Sequence, residues 1–294
     1  MRIKAYFFVI FFLFLVESTF AQDYDYQVDK TLVGHTSSVH NLRFSPDGKL
    51  LATCGFDSLV ILWDVQTGEM LRKWKGHTDW ITEVTFSQDG SLIASAGQDG
   101  YCKVWNTESG KLLGTYANQF ATFNGKSMKA VAFVDFSPDN KYIYYGGTSA
   151  FLVKARIDIP DQTPQKITFL GNNGKYYSNI SGGQLMADAK TIITSIGYFA
   201  IAVDANTGML YKKFHYPNQG INDVIVAPQD DMITVWCYDG HVLTWDYNSG
   251  ELVRKIKVTT PQNYSAASVN QSGELLVTGA SDNIAKVWDG KASK

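Results

Sequence analysis

The chain has 294 residues, of which 45% are hydrophobic and 14% aromatic, so it is long enough for one large domain and too apolar for a disordered chain. The formal net charge is −2 and no long basic run occurs, which gives no support for nucleic-acid binding through phosphate neutralisation. The cysteines are Cys54, Cys102 and Cys237. Because their number is odd, at least one thiol is free, and we expect buried thiols rather than a disulfide framework.

The first residues have the pattern of an export signal. Arg2 and Lys4 precede an unbroken apolar run over residues 5–16, and Thr19 and Ala21 stand at positions −3 and −1 of a cut after Ala21. The pattern predicts a signal peptide at residues 1–21 and a mature domain at residues 22–294 that is secreted or periplasmic. A retained membrane anchor is the alternative, but a spanning helix needs roughly 20 apolar residues and Glu17 ends the run early.

An internal repeat becomes visible when the chain is aligned on its tryptophans. Trp63 and Trp105 are 42 residues apart, and Trp245 and Trp288 are 43 apart. The interval between these pairs holds two further units, whose turn residues place Ala155 and Val203 at the tryptophan position. The six repeat anchors are Trp63, Trp105, Ala155, Val203, Trp245 and Trp288.

Each unit contains four short apolar or alternating runs separated by turn residues, which is the pattern of a four-stranded antiparallel sheet. In the first unit, Pro46 suits the second position of a turn and Gly48 tolerates a positive φ. One such sheet cannot bury both of its faces, whereas sheets packed face to face in a ring can do so. The predicted strands of the first unit are Val39–Phe44, Leu50–Thr53, Leu59–Trp63 and Met70–Trp74.

The sequence resembles the WD40 repeats, which are marked by Gly-His near the start and Trp-Asp near the end of each unit. Gly34-His35 and Gly76-His77 supply the first mark; Trp63-Asp64, Trp245-Asp246 and Trp288-Asp289 supply the second. The resemblance covers about residues 26–290 and implies an all-β fold, a single β-propeller of four-stranded antiparallel blades. We expect six blades, with seven as the alternative. Residues 26–33 are expected to complete the last blade as its outer strand.

The resemblance also implies a buried hydrogen-bond network in each blade. Aspartate, histidine and serine or threonine, which would form this network, also form the catalytic triads of hydrolases. Their recurrence at one spacing in successive units favours a structural role. No zinc-ligand spacing, phosphate loop or hydrolase motif occurs, so no catalytic residue, metal or cofactor is predicted. The network residues are His35, Thr53, Asp57 and Trp63 in unit one, His77, Ser95, Asp99 and Trp105 in unit two, Asp239 and Trp245 in unit five, and Asp282 and Trp288 in unit six.

The expected function is that of a non-catalytic scaffold that binds a protein or peptide at the narrow face of the propeller. An aromatic rim suits protein recognition, although it also suits stacking on sugar rings. The alternatives are a carbohydrate-binding protein and a hydrolase or lyase with a site in the central channel. The channel site requires converging acidic residues, and the inner strands look mainly apolar and neutral polar. By itself the protein is expected to be a monomer, without nucleic acid or a membrane span after signal cleavage. The candidate rim residues are His40, Phe56, Trp80, Gln98, Tyr198, Tyr238 and Tyr264.

Overall fold

The computed structural model describes residues 24–119, 122–123, 126–127, 130–147, 151–159, 162–168, 180–186, 188–196, 198–216, 220–227, 232–257, 264–269, 275–280 and 284–292. The predicted signal peptide, residues 1–21, lies outside these residues. Regular structure in the described part of the chain consists of β-strands. No helix within this part is long and apolar enough to cross a membrane.

Five blades are each built from four consecutive strands, and all neighbouring strands within them are antiparallel. A short hairpin of Thr122–Phe123 and Lys126–Ser127 separates the second blade from the third. The first blade contains β2 (Val39–Phe44), β3 (Leu50–Gly55), β4 (Leu59–Asp64) and β5 (Met70–Lys75), and the second contains β6 (Ile81–Phe86), β7 (Leu92–Gly97), β8 (Tyr101–Asn106) and β9 (Leu112–Ala117); the hairpin strands are β10 and β11. The third blade contains β12 (Val131–Phe136), β13 (Tyr142–Gly147), β14 (Phe151–Arg156) and β15 (Gln165–Thr168), and the fourth contains β16 (Gly182–Leu185), β17 (Thr191–Ile196), β18 (Phe199–Asp204) and β19 (Leu210–His215). The fifth blade contains β20 (Ile221–Ala227), β21 (Met232–Cys237), β22 (His241–Asp246) and β23 (Leu252–Lys257).

A further four-stranded sheet, the closing sheet, joins the two ends of the chain. Strands β24 (Tyr264–Val269), β25 (Leu275–Ala280) and β26 (Ile284–Ala292) pair in sequence, and β1 (Tyr24–Val33) adds to β26 as the outer strand. The prediction that the N-terminal strand completes this sheet is confirmed. The first strands of successive sheets contact one another in chain order, and β24 contacts both β20 and β2, so the ring is closed. The described strands leave none for a seventh blade.

The register confirms the positions of the repeat anchors. Trp63 pairs with Leu51 in the second strand of its blade, and Trp105 pairs with Ile93 in the equivalent place. Ala155 and Val203 occupy the same register in the third and fourth blades, so the repeat persists where the tryptophan is absent. The remaining anchor pairs are Ile233 with Trp245 and Leu276 with Trp288.

The apolar core lies between neighbouring sheets rather than within one sheet. One cluster joins Ala52, Val60 and Leu62 of the first blade to Ile81 and Trp105 of the second. Similar clusters join the second blade to the third, the third to the fourth and the fourth to the fifth. Each blade therefore depends on its neighbours for the burial of its faces, which explains why this chain folds as a closed ring.

Candidate binding surface and central channel

The narrow face is defined here as the end of the ring where the first strand of each blade begins and the second strand turns into the third. A recurring backbone clamp shapes this end in the first, second and fifth blades, where an amide of this turn donates to a carbonyl in the segment before the first strand. The clamp is seen from Phe56 to Ser38 (3.0 Å), from Gln98 to Trp80 (2.8 Å) and from Tyr238 to Gly220 (3.1 Å). The approach is so close that a Cβ at Gly55 would collide with the Ser38 carbonyl oxygen.

In the first blade, the predicted network holds the narrow face to the sheet. The His35 Nδ1 lies 2.9 Å from Asp57 Oδ2, and its Nε2 lies 2.8 Å from the Thr53 hydroxyl. The Trp63 indole donates to that hydroxyl at 2.8 Å. In the neutral imidazole, Nδ1 therefore donates to the carboxylate and Nε2 accepts from Thr53. Burial raises the pKa of Asp57, but hydrogen bonds from His35 and Thr36 outweigh burial and hold this pKa below its ordinary value.

The second blade repeats this arrangement. His77 Nδ1 lies 2.9 Å from Asp99 Oδ1, and its Nε2 lies 2.8 Å from the Ser95 hydroxyl. The Trp105 indole donates to Ser95 at 3.1 Å. The imidazoles of His35 and His77 are almost entirely buried. Because this constellation recurs and is buried, it ties each turn to its blade instead of presenting a nucleophile.

The fifth blade uses a different version of the network. Asp239 accepts from the Tyr216 hydroxyl at 3.2 Å and pairs with His241 Nδ1 at 3.0 Å. Trp245 is buried beside Phe214, with 6.2 Å between ring centroids. Tyrosine thus stands in for the histidine of the first blades, a substitution that the sequence analysis did not identify. The predicted Asp282 and the side chain of Trp288 lie outside the described part of the structure.

Four of the predicted rim residues form one patch, which we call the Trp80 patch: His40, Phe56, Trp80 and Gln98. The rings of Phe56 and Trp80 are stacked, with centroids 4.4 Å apart and planes 18° apart. The His40 ring lies 5.5 Å from Phe56 on centroids, and its Nδ1 donates to the Thr82 carbonyl at 2.9 Å. Burial lowers the pKa of His40. Phe56 is half-buried, whereas 49% of Trp80 is exposed.

Tyr198 and Tyr238 lie at the same end of the ring, on the fourth and fifth blades. They are 53% and 65% exposed, and the backbone amide of Tyr216 donates to the Tyr198 carbonyl at 3.2 Å. Beside Tyr198, Phe199 stacks on His215 with 4.8 Å between centroids. The side chain of the predicted Tyr264 lies outside the described residues.

The central channel contains a charged cluster, which the mainly apolar and neutral polar composition of the inner strands did not indicate. Arg43 on β2 donates to Glu83 Oε1 on β6 and to Asp223 Oδ2 on β20, each at 3.0 Å. Asn41 donates to the same Asp223 oxygen at 2.9 Å. The side chains of Arg43, Glu83 and Asp223 are 8% exposed or less. Asp135 on β12 is a further buried acid near this cluster.

These inner polar side chains connect successive blades. Four of them, Asn41, Glu83, Asp135 and Gln184, each carry an oxygen that accepts a hydrogen bond from a backbone amide of the next inner strand along the chain. The first strand of a blade has one edge without a strand partner, so these bonds satisfy amides that would otherwise be unpaired. The amide-to-oxygen pairs are Val84 to Asn41 (3.2 Å), Val134 to Glu83 (2.9 Å), Leu185 to Asp135 (2.7 Å) and Val226 to Gln184 (2.7 Å).

Burial strongly affects the pKa values of the acids in the channel. It raises the pKa of Asp135 to about 6, although backbone amides of Leu185 and Phe136 act in the opposite direction. Burial and the nearby Asp223 raise the pKa of Glu83 well above its ordinary value. Burial lowers the pKa of Arg43, but Asp223 and Glu83 outweigh it and raise this pKa overall. The described residues contain no group of acids, histidines or cysteines arranged to hold a metal ion.

A local irregularity in strand pairing explains why the sequence pattern did not indicate this cluster. The pairing of β2 with β3 shifts between Val39 and Asn41, and β6 and β20 have equivalent shifts before Glu83 and Asp223. A bulge changes which face of the sheet the following side chains occupy, so simple alternation no longer predicts direction. An acid or amide two residues after the start of β2, β6, β16 and β20 is the signal that remained available.

Replacing Thr53 with valine tests the blade network. Thr53→Val keeps the shape but leaves both the Trp63 indole N–H and His35 Nε2 without the hydroxyl, and each buried unsatisfied group costs about 1–3 kcal/mol. We therefore expect the free energy of unfolding, measured with urea, to fall by about 2–5 kcal/mol. Thr53→Ser is the matched control, since serine performs this role in the second blade, and it should retain most of the stability. Equal losses in both variants would contradict the network.

The raised pKa of Asp135 predicts a distinct pH dependence. Between about pH 4 and pH 6 the folded protein holds a proton that the unfolded chain has released, so the free energy of unfolding contributed by this group falls as pH rises. Asp135→Asn removes this titration. The stability of the variant relative to the parent should rise on the order of 3 kcal/mol from pH 4 to pH 7. The exposed Asp139→Asn is the control, and a pH-independent difference for Asp135→Asn would refute the interpretation.

Comparison with known proteins agrees with this geometry. The family described as "WD domain, G-beta repeat" matches residues 27–64, 68–106 and 254–289. The chain is similar to a WD repeat domain-containing protein 83 homolog of Dictyostelium discoideum, with 27% identity over 29% of this chain and 26% of the relative. It is also similar to the small ribosomal subunit protein RACK1 of Candida albicans, with 40% identity over 16% of this chain and 15% of the relative.

A third relative is the WD repeat, SAM and U-box domain-containing protein 1 of Gallus gallus, with 50% identity over 14% of this chain and 8% of the relative. The chain thus spans about a quarter or less of the length of these relatives. The matched segments include the first and second blades, where the His–Asp networks are complete. The sequence, the four-stranded blades and these matches together show that the chain carries WD40 repeats.

Proposed function

We propose that this protein is a non-catalytic scaffold that binds a protein or peptide partner through the narrow face of its propeller. WD40 propellers are typical of protein-interaction scaffolds. The observation that carries the proposal is the exposure of Trp80, Tyr198 and Tyr238 at one end of the ring. Large aromatic side chains contribute most of the binding energy at many protein interfaces.

The networks beneath this surface support the same role. The His35–Asp57 and His77–Asp99 pairs fix the turns on which Phe56 and Gln98 stand, and the clamps fix the segment carrying Trp80. A surface whose backbone is already ordered loses less conformational entropy when it binds. The channel carboxylates accept hydrogen bonds from backbone amides and Arg43, which supports a structural use of the channel acids.

We further propose that the protein acts outside the cytoplasm, after removal of residues 1–21. The support is the basic start, the short apolar run and the small residues before the expected cut.

We also propose that the closing sheet serves as a sixth blade. Its four antiparallel strands and the contacts of β24 with β20 and β2 support this count.

The scaffold proposal is tested by affinity capture from the secreted or envelope fraction of the native host. The parent protein should retain one or a few proteins, and the double variant Trp80→Ala/Tyr238→Ala should lose them because two exposed aromatic side chains of the narrow face are truncated. The matched control, Leu113→Ala/Tyr211→Ala, removes exposed side chains from the outer strands β9 and β19 and should still capture the partner. Capture unaffected by the narrow-face changes would overturn the proposal, and glycan binding would then be measured.

A further inference from the structure

The Trp80 patch has the form of a platform for a ligand. Phe56 covers one face of the Trp80 indole in a stacked arrangement, while about half of Trp80 remains exposed. The backbone on both sides is held: the Trp80 carbonyl accepts from Gln98 N at 2.8 Å, and the Trp80 amide donates to Asp79 Oδ1 at 2.8 Å. The Trp80 backbone is therefore held in place, with the Asp79 carboxylate on its amide and Phe56 stacked on its ring.

The charges around the platform favour one class of ligand. The segments 34–38, 56–58, 76–80, 98–100 and 238–240 around the platform contain no lysine or arginine, whereas Lys126 lies in the hairpin before the third blade. They contain four carboxylates, and in the channel below Asp223 is paired with Arg43. The four carboxylates are Asp57, Asp79, Asp99 and Asp239.

Elsewhere in these blades, basic residues lie on an outer strand or donate hydrogen bonds to backbone carbonyls. Lys73 and Lys75 lie on the outer strand β5, and Lys73 Nζ donates to the Gly34 carbonyl at 2.9 Å. Lys103 donates to the Gly76 carbonyl. The four carboxylates thus outnumber the two ammonium groups, those of Lys73 and Lys103, that contact these segments, so a ligand above Trp80 meets a net negative field.

From this arrangement we propose that the narrow face recognises a cationic peptide, with a lysine or arginine side chain placed over the Trp80 indole and paired with Asp79. Tryptophan is the aromatic side chain that attracts a cation most strongly, and a neighbouring carboxylate adds a charge-assisted hydrogen bond. This inference rests on the proposed scaffold function and adds the chemical class of the partner. The partially desolvated stack on Phe56 strengthens the attraction relative to a fully exposed ring.

The test uses the full chain and a displayed library of random dodecapeptides. Selected peptides should be enriched in lysine and arginine, and affinities of synthetic copies should fall at least tenfold when the arginine is replaced by the neutral isostere citrulline. Trp80→Ala should weaken binding at least tenfold, and Trp80→Phe should weaken it less. Asp79→Asn should weaken binding severalfold, whereas Asp139→Asn, which removes the same charge from a turn at the opposite end, should have little effect.

The outcomes separate this inference from the scaffold proposal. Peptides that depend on Trp80 but show no cation enrichment, or that tolerate citrulline, would overturn the inference and leave the scaffold function standing. Selected peptides whose affinity is unchanged in both Trp80→Ala and Tyr238→Ala would overturn both. A stability measurement on each variant identifies loss of binding that comes from unfolding, and Trp80→Phe keeps the test valid if Trp80→Ala does not fold.

Discussion

The free edge of each innermost strand is the constraint on which the ring depends. A first strand is paired with the second strand of its own blade on one side and faces the axis on the other, so some of its amides have no strand partner. Here Asn41, Glu83, Asp135 and Gln184 supply acceptors for amides of the next blade. The same contacts that satisfy these amides also join neighbouring blades, in addition to the apolar clusters between the sheets.

A second level of contacts lies nearer the narrow face and links the ring to the candidate binding surface. His40 donates to the Thr82 carbonyl of the second blade, and the Thr82 hydroxyl donates to the Val131 carbonyl of the third at 2.6 Å. His40 also contacts the Phe56 ring that supports Trp80. The orientation of the Trp80 patch is therefore coupled to the packing of three successive blades. This coupling gives the surface a fixed shape before any partner arrives.

Much of the fold was predictable because its signals are local and repeated. The turn residues placed Ala155 and Val203 at the right register although neither resembles a tryptophan. Turn residues gave the blade boundaries, and residues 26–33 were correctly assigned to the sheet that closes the ring. These features depend on backbone geometry and on the repeat period, which the sequence displays directly.

The site was less predictable because it depends on contacts between distant segments. The bulges before Asn41, Glu83 and Asp223 change the direction of the following side chains, so the charged channel could not be found by alternation. Tyr216 replaces a histidine in the fifth blade through a contact with Asp239 across 23 residues. The proximity of Phe56 to Trp80 could be expected from neighbouring loops, but their stacking requires the clamp between Gln98 and Trp80.

The central claim, that inner side chains pair with backbone amides of the next blade, is tested most directly by native-state hydrogen exchange. The amides of Val84, Val134, Leu185 and Val226 should exchange as slowly as amides bonded within the sheets. Glu83→Ala should speed the exchange of Val134, its bonding partner, far more than that of Val226, which is bonded to Gln184. Fast exchange of all four amides in the parent protein, at rates typical of exposed turns, would contradict the account.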